Sequence, residues 1–230
     1  MIQMSFADNV NSFNKNLKYT GALPDNINVM NPYKENPDVL TAACEFFNKF
    51  FSDNNKRNII LGINPGRHGA GVTGIAFTDT IRLEKFCGIK LKDVKSFETS
   101  SEFIYKMIEA YGGVKKFYSR YFISAVCPLG FTKKSKHEKQ VNYNYYDDKK
   151  LKDAAYDFIV STLKKQLSFG INTKVCFCLG SGKNYKFLTG LNANENLFEE
   201  IVPLDHPRYI MQYRRKHLGK YIDKYLELLK

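Results

Sequence analysis

The sequence predicts an α/β fold in which helices cover both faces of a central, mainly parallel four-stranded sheet. Four short runs are rich in β-branched and other apolar residues, and segments with helical spacing separate them. Each run is continuously apolar rather than alternating, which is typical of parallel strands that are buried on both faces. The predicted strands are 57–63, 121–127, 173–180 and 198–204.

The helical segments alternate with these strands along the chain. Thr99 and Glu102 have the spacing of a capping box, which predicts a helix start. Gly112 and Gly170 lie where helices usually stop. The predicted helices are 38–51, 99–113, 153–170 and 214–230.

The length and composition suit one globular domain. The chain has 230 residues, of which 43% are hydrophobic, and this is enough to bury a sizeable core. We expect a single domain over residues 1–230, with an N-terminal helical segment over about 1–55 and the α/β core over about 56–230. No apolar run approaches the length of a membrane span, and the first residues lack a secretory signal pattern. We therefore expect a cytoplasmic protein that has no membrane partner.

The five cysteines do not have the spacing of a metal site. None of them forms a CxxC pair, and the one close pair lies in a predicted strand. We expect buried, reduced thiols rather than metal ligands. The cysteines are Cys44, Cys87, Cys127, Cys176 and Cys178.

A strong excess of positive charge favours a polyanionic partner. The chain has 35 Lys and Arg against 23 Asp and Glu, a formal net charge of +12. Composition alone leaves nucleic-acid binding and a solubilising lysine-rich surface open. The distribution of charge favours nucleic acid, because all four predicted strands run into polar, basic or glycine-rich loops. Ligands of parallel α/β sheets gather at these carboxyl ends.

The loop after the first strand is rich in glycine. The stretch 62–79, "GINPGRHGAGVTGIAFTD", has five glycines between apolar segments. Glycines clustered beside a buried strand predict a turn whose backbone approaches a ligand closely.

The "GSGK" stretch after the third strand is not an ATP-binding loop. Phe177 stands where a phosphate loop has its first glycine, and Asn184 follows the lysine. A strand that runs into a helix start still offers free N–H groups to one phosphate, so a DNA-backbone contact and an ordinary turn both remain open. The residues concerned are Ser181, Gly182 and Lys183.

Two loop motifs together resemble a known family. The stretch 62–77, "GINPGRHGAGVTGIAF", resembles the first motif of the uracil-DNA glycosylase superfamily, in particular its single-strand-selective monofunctional (SMUG) type. The "HPR" at 206–208 resembles the second motif. "NVMNPYKEN" ahead of the first strand and "CPLGF" after the second extend the resemblance over about residues 27 to 220.

The resemblance implies a three-layer α/β/α sandwich that flips a damaged base out of DNA and hydrolyses its N-glycosidic bond. It implies a monofunctional, monomeric enzyme of base excision repair, without lyase activity, metal or other cofactor. The expected partner is single- or double-stranded DNA containing deaminated bases. A non-catalytic nucleic-acid-binding module and a nucleoside-processing hydrolase are the alternatives.

The resemblance also assigns roles to residues of the pocket. Asn64 would orient the attacking water, because an amide cannot act as a general base, and His206 would stabilise the departing base. Phe77 would stack on that base. The remaining expected substrate-binding residues are Gly62, Ile63, Pro65, Gly66, Ser124 and Ala125.

A basic rim around the pocket is expected to contact DNA. Besides the "GSGK" residues, the expected DNA-binding residues are Arg67, His68, Lys133, Lys134, Arg208, Tyr209, Arg214, Arg215 and Lys216. Tyr209, Ile210 or Met211 would wedge into the vacated stack.

The chain departs from the family pattern at the residue that reads the base. Ala125 stands where SMUG proteins have an asparagine, and the second motif lacks a second proline. Both features resemble the bacterial type-two SMUG branch, for which deaminated purines are expected substrates beside uracil. The alanine leaves room for xanthine or hypoxanthine, or for a reader from elsewhere, with Ser124, Asn142 and Asn144 as candidates.

Overall fold

The computed structural model describes residues 4–135 and 138–230. The strands are β1 (Ile27–Met30), β2 (Arg57–Gly62), β3 (Tyr121–Ala125), β4 (Gly130–Lys134), β5 (Gln140–Tyr143), β6 (Ile171–Leu179) and β7 (Glu200–Leu204). The helices are α1 (Phe6–Asn16), α2 (Pro32–Glu35), α3 (Pro37–Phe51), α4 (Ala70–Thr73), α5 (Thr80–Cys87), α6 (Thr99–Tyr111), α7 (Val114–Tyr118), α8 (Lys149–Leu167), α9 (Lys183–Glu195), α10 (Pro207–Tyr213) and α11 (Leu218–Leu228), with a 3₁₀ turn at Arg215–His217.

The central sheet has the predicted class and the predicted strands. Its order is β3-β2-β6-β7, and all three strand pairings are parallel. Ile60 of β2 lies opposite Ile123 on one side and Phe177 on the other, and all three are buried. Helices cover both faces, so the predicted α/β/α sandwich is confirmed. The parallel pairing brings the carboxyl ends of all four strands to one edge.

The helix boundaries agree with the sequence in part. Helix α6 ends at Gly112, whose φ of 115° is in the left-handed region, as predicted. The predicted capping box is wrong: Glu98 is the N-cap residue, Thr99 is already helical, and no side chain caps the helix. The Glu102 carboxylate instead forms ion pairs with Lys106 and Arg215.

A second, antiparallel sheet was not predicted. Its order is β1-β4-β5. Strand β4 lies in the stretch expected to be a loop, and it forms because Phe131 is fully buried while the backbone pairs on both sides. Lys133 and Lys134 are therefore strand residues. The pairing carries β5, and the residues that follow it, to the edge of the central sheet.

The N-terminal helices are anchored through a buried arginine at the start of β2. Arg57 is fully buried, and its guanidinium bonds to the Asp53 carboxylate at 2.9 and 3.0 Å. The rings of Phe6 and Phe51 lie 4.8 and 4.7 Å from it. Since every polar group of this cation has a partner or an aromatic neighbour, its burial is tolerated. One hydrophobic cluster extends from Phe6 to Leu229.

The stretch after β7 is more ordered than expected. Residues 207–213 form helix α10, where a loop was predicted, and His206 occupies the N-cap position with proline as the first helical residue. Among the described residues, no helix combines the length and apolar character needed to cross a membrane.

Candidate active site

A pocket of about 430 Å³ opens where the four parallel strands end. Most of the predicted site residues line it, among them both predicted catalytic residues. The predicted residues that line it are Gly62, Ile63, Asn64, Pro65, Gly66, Phe77, Ser124, Ala125, Gly182, Lys183, His206, Arg208 and Tyr209, together with the candidate base readers Asn142 and Asn144. The sequence reasoning missed Ala70, Ala76, Glu98, Ser100, Tyr146, Gly180, Asn184, Gln212 and Tyr213, which also line it.

The ring of Phe77 packs directly on the backbone of Gly62. A Cβ at Gly62 would lie 2.6 Å from a ring carbon of Phe77, so only glycine fits there. Phe77 itself has a φ of 52°, which is rare for a bulky residue. The hydroxyl of Thr73 holds this turn, donating to the Thr78 carbonyl at 2.6 Å. A strained aromatic residue kept in a pocket wall points to a functional role for its ring.

The other glycines of the loop also make room for protein groups. A Cβ at Gly69 would lie 2.1 Å from a carboxylate oxygen of Glu98. A Cβ at Gly71 would lie 2.5 Å from Met30. At Gly62, Gly69 and Gly71 the space beside the missing Cβ is therefore filled by side chains of the chain itself, and a ligand could approach these glycines only from another side.

The Asn64 side chain is fixed by the backbone after β5. Its Nδ2 donates to the Tyr143 carbonyl at 3.2 Å, and its Oδ1 accepts from the Tyr145 N–H at 3.3 Å. These bonds orient the amide, and the second lone pair of Oδ1 remains available to a water in the pocket. This arrangement suits positioning rather than proton removal.

Tyr145 and Asn184 support Asn64 from behind. The buried Tyr145 hydroxyl donates to Asn184 Oδ1 at 2.7 Å. Asn184 Nδ2 lies 3.4 Å from the Gly62 carbonyl and 3.2 Å from the Leu179 carbonyl. This network ties the ends of β2 and β6 to the segment that holds Asn64. The sequence offered no spacing signal for this network, because its members are far apart along the chain.

His206 faces the pocket as a neutral imidazole. Its Nδ1 accepts from the Arg208 N–H at 3.1 Å, as an N-cap does. Burial, together with the nearby Arg208 charge, lowers the pKa of His206 to about 4. With Nδ1 acting as the acceptor, the ring proton is on Nε2. The imidazole can therefore donate one N–H at neutral pH.

Glu98 is an acidic group in the wall of this otherwise basic site. Burial raises the pKa of its carboxyl to about 7, the neighbouring Asp79 adds to this, and Arg208 opposes it. Its backbone N–H donates to Asp79 Oδ2 at 2.8 Å. The carboxyl thus changes charge near neutral pH, beside the glycine-rich loop.

The predicted rim residues surround the pocket at different distances. Arg67 and Ser181 are adjacent in sequence to lining residues, and His68 lies two residues from Gly66 and from Ala70. The Arg67 N–H donates to Asn142 Oδ1 at 2.9 Å. Asn142 therefore holds the loop. Two of the basic residues outside the lining lie over aromatic rings: Lys133 over Tyr143 at 5.0 Å and Arg214 over Tyr209 at 5.6 Å. Two others form ion pairs, Lys134 with Glu138 and Arg215 with Glu102, both at 3.1 Å. The side chain of Lys216 is exposed.

Burial removes two of the three residues that were expected to insert into the base stack. Ile210 and Met211 are 0% and 4% exposed, so the expectation that either could insert is wrong. Tyr209 and Tyr213 are 39% and 68% exposed at the pocket mouth, with ring centroids 5.8 Å apart. Helix α10 thus buries one face and presents two tyrosines on the other.

The cysteines are all free thiols. Four are buried as expected, and Cys44 is only partly so. In residues 4–135 and 138–230 no group of three or more His, Cys, Asp or Glu side chains could hold a metal ion.

Comparisons with known proteins identify the family to which the chain is similar. The family model described as "Uracil DNA glycosylase superfamily" matches residues 49–230. A crystal structure of wild-type SMUG2 from Pedobacter heparinus is similar to the chain, with 50% sequence identity and a TM-score of 0.96. That similarity covers 98% of this chain and 97% of the other. A search of curated proteins found no match.

Proposed function

The chain belongs to the uracil DNA glycosylase superfamily and is of SMUG type, and we propose that it initiates base excision repair by hydrolysing the N-glycosidic bond of uracil in DNA. The observation that carries the proposal is one pocket that combines an oriented amide, a neutral imidazole and an aromatic ring on a strained backbone: Asn64, His206 and Phe77. The uracil would be flipped out of the stack to reach these groups, with its face on the Phe77 ring.

In this mechanism His206 stabilises the leaving base. The bond between C1′ and N1 breaks towards an oxocarbenium ion, and both bonding electrons leave with the base. Negative charge then develops on the uracil O2, where the His206 Nε2–H donates. The depressed pKa of His206 means that this donor is a neutral imidazole at physiological pH.

Asn64 orients the water that completes the reaction. Its Oδ1 accepts a hydrogen bond from the water, so that the water oxygen is aimed at C1′. The cationic sugar makes a strong base unnecessary. After attack the water oxygen loses one proton to solvent, and the departed uracil anion takes up one proton from solvent. We propose no metal or other cofactor, because these steps need only the amide, the imidazole and the anionic DNA. No lyase step is included, so an abasic site is the product.

We propose that hypoxanthine and xanthine are further substrates. The small side chain of Ala125 and the volume of the pocket support this extension, since a larger side chain at that position would narrow the site.

Binding of DNA would use the basic rim and the mouth of the pocket. Backbone and side-chain donors near the start of α9, together with the cations around α10, would contact phosphates. We propose one functional domain over residues 1–230, which the single core cluster from Phe6 to Leu229 supports, and we propose that it acts as a monomer. We place it in the cytoplasm, where its five free thiols stay reduced.

The test is strand cleavage at a defined lesion. Oligonucleotides that carry one uracil, hypoxanthine or xanthine, in single- and double-stranded form, are incubated with the protein in EDTA and then treated with alkali. We expect cleavage at uracil only after the alkali step, and none in matched cytosine or thymine controls. Intact strands at uracil would refute the function, and cleavage before alkali would refute the monofunctional mechanism.

Salt dependence separates this proposal from a hydrolase of free nucleosides. Activity on DNA should fall steeply as salt rises, because phosphate contacts release counterions. A nucleoside hydrolase would act on deoxyuridine with little dependence on salt. A pure binding module would bind DNA without releasing any base.

A further inference from the structure

A serine in the pocket floor has its hydroxyl proton committed to a buried glutamine. Ser124 lies near the end of β3 and lines the pocket, and its Oγ forms a short hydrogen bond to Gln166 Oε1 on α8. Gln166 is fully buried. With the proton directed towards Gln166, the oxygen of Ser124 presents only lone pairs to the pocket.

The remaining half of the Gln166 amide is unsatisfied. Its Nε2 is buried and has no hydrogen-bond partner among the described residues. It borders a small cavity of about 40 Å³, whose wall Ser124 and Ala125 share with the main pocket. An unpaired buried amide nitrogen has an energetic cost, and packing alone would be served as well by an apolar residue. A functional role for the hydrogen-bonded pair Ser124 and Gln166 would explain why this cost is retained.

Deaminated bases share one chemical feature that this serine can read. Deamination turns the N3 lone pair of cytosine into the N3–H of uracil, and the N1 lone pair of adenine into the N1–H of hypoxanthine. Xanthine also carries an N1–H. Resting on the proposed glycosylase function, we propose that Ser124, held as an acceptor by Gln166, reads this ring N–H in the flipped base.

This arrangement would disfavour cytosine and adenine by repulsion as well as favour the deaminated bases by a hydrogen bond. The lone pair on N3 of cytosine or on N1 of adenine would face the lone pairs of the Ser124 oxygen, and the two would repel each other. Ser124 cannot rotate its proton towards the base without breaking its hydrogen bond to Gln166. The reader is also independent of base size, because a ring N–H next to a carbonyl occurs in both pyrimidine and purine products. Ser124 would contact the base, whereas Gln166 is a positioning residue that acts through it.

The first test measures rates under single-turnover conditions. We expect Ser124→Ala to slow excision of uracil and hypoxanthine by a similar factor, roughly 3- to 10-fold, the effect of one neutral hydrogen bond. Gln166→Leu should slow both, and the Ser124→Ala/Gln166→Leu double variant should be no slower than Ser124→Ala. Thr162→Val is the matched control on α8, because its hydroxyl bonds only to carbonyls of that helix. Additive losses in the double variant would refute the coupling.

The second test measures base preference, which a structural role would not change. Oligonucleotides with non-hydrolysable 2′-fluoroarabino sugars carry either uracil or 2-pyrimidinone, whose N3 has a lone pair instead of a proton. The wild type should prefer uracil, and Ser124→Ala should reduce that preference, with an unfolding temperature near that of the wild type. An unchanged preference would overturn the inference, as would a wild type that prefers 2-pyrimidinone, since Ser124 would then be the donor.

The two proposals fail in different ways. If the wild type releases no uracil, the glycosylase function fails and the base reader fails with it. If the wild type releases uracil at a rate that Ser124→Ala leaves unchanged, only the base reader is refuted.

Discussion

Asn64 donates one hydrogen bond and accepts another, and this determines what a carboxyl group would do in its place. From sequence alone, Asn64→Asp is expected to keep far more activity than Asn64→Ala, since a carboxylate can polarise water. The Tyr143 carbonyl, 3.2 Å from Nδ2, changes this expectation. A protonated carboxyl can donate to that carbonyl and accept from Tyr145, whereas a carboxylate faces the carbonyl with negative charge.

We therefore predict that the activity of Asn64→Asp, relative to wild type, is highest near pH 5 and falls towards pH 8. Single-turnover uracil excision at each pH measures it, with Asn64→Ala as the reference that lacks both bonds. A relative activity that rises with pH would mean that the carboxylate acts as a base and that positioning is not the role of this residue.

Glu98 gives a second pH dependence, in DNA binding. Its pKa is raised to about 7 in the free protein, so the group is mostly neutral at pH 6 and mostly charged at pH 8. We predict that affinity for DNA falls over this range, because the carboxylate then repels phosphates. Glu98→Gln should abolish the fall, while Glu45→Gln on the exposed face of α3 should retain it. Parallel pH profiles for wild type and Glu98→Gln would contradict the prediction.

The same raised pKa has a defined effect on stability. A carboxyl that is easier to protonate in the folded state stabilises the protein below its unfolded pKa, and this stability is lost as pH rises through about 7. His206 acts in the opposite direction. Its pKa falls from 6.5 to about 4 on folding, so its contribution is full above pH 6.5 and is lost as the pH falls.

The glycine-rich loop shows how far single residues can be read from sequence. The glycines indicated close approach to the backbone, and the groups that lie beside the missing Cβ atoms of Gly62 and Gly69 are Phe77 and Glu98. A glycine in the sequence indicates that a neighbouring group needs the space of a Cβ, but it does not show which group occupies that space. Asn64 and His206 were found because a motif fixes their places, whereas Gln166, Tyr145 and Asn184 reach the site only through tertiary packing.

Among the elements, helix α10 has the most direct consequence for function. It buries Ile210 and Met211 and exposes Tyr209 and Tyr213 at the mouth of the pocket. We predict that Tyr213→Ala slows uracil excision from double-stranded DNA by about 10-fold more than from single strands, because only the duplex leaves a gap for a stacking ring to fill. Tyr213→Phe keeps the ring and should behave like wild type. Equal losses on both substrates would exclude a wedge at this position.

Sequence periodicity predicted the four central strands and failed for the small sheet and α10. The central strands are apolar on both faces, which gives a continuous signal. In strand β4 only Phe131 is a large apolar residue, and the residues beside it are mostly polar, so the apolar signal is weak. Its pairing with β1 spans about a hundred residues of sequence. Helix α10 is seven residues long and begins with a proline, so local propensity could not distinguish it from a loop.

At the scale of the whole molecule, the net charge of +12 should appear in the salt dependence of binding. Arg214 is exposed beside the pocket mouth, whereas Arg215 is partly neutralised by Glu102. We predict that Arg214→Ala weakens binding of uracil-containing and undamaged DNA equally and lowers the slope of log K against log salt by about 1. Lys174→Ala, in the amino-terminal half of β6 and away from the pocket, should leave the slope unchanged. A variant that alters only lesion preference would show that Arg214 reads the base.

In the proposed mechanism a neutral imidazole at the strand ends stabilises the departing base, and the rate of uracil release by His206→Ala measures this contribution. We predict that single-turnover release is about 100- to 1,000-fold slower than in the wild type, because a donor aimed at developing charge is lost. DNA affinity should stay near the wild-type value, and His217→Ala, which removes an exposed histidine outside the pocket, should leave the rate unchanged. Release at the wild-type rate by His206→Ala, with binding intact, would contradict the account.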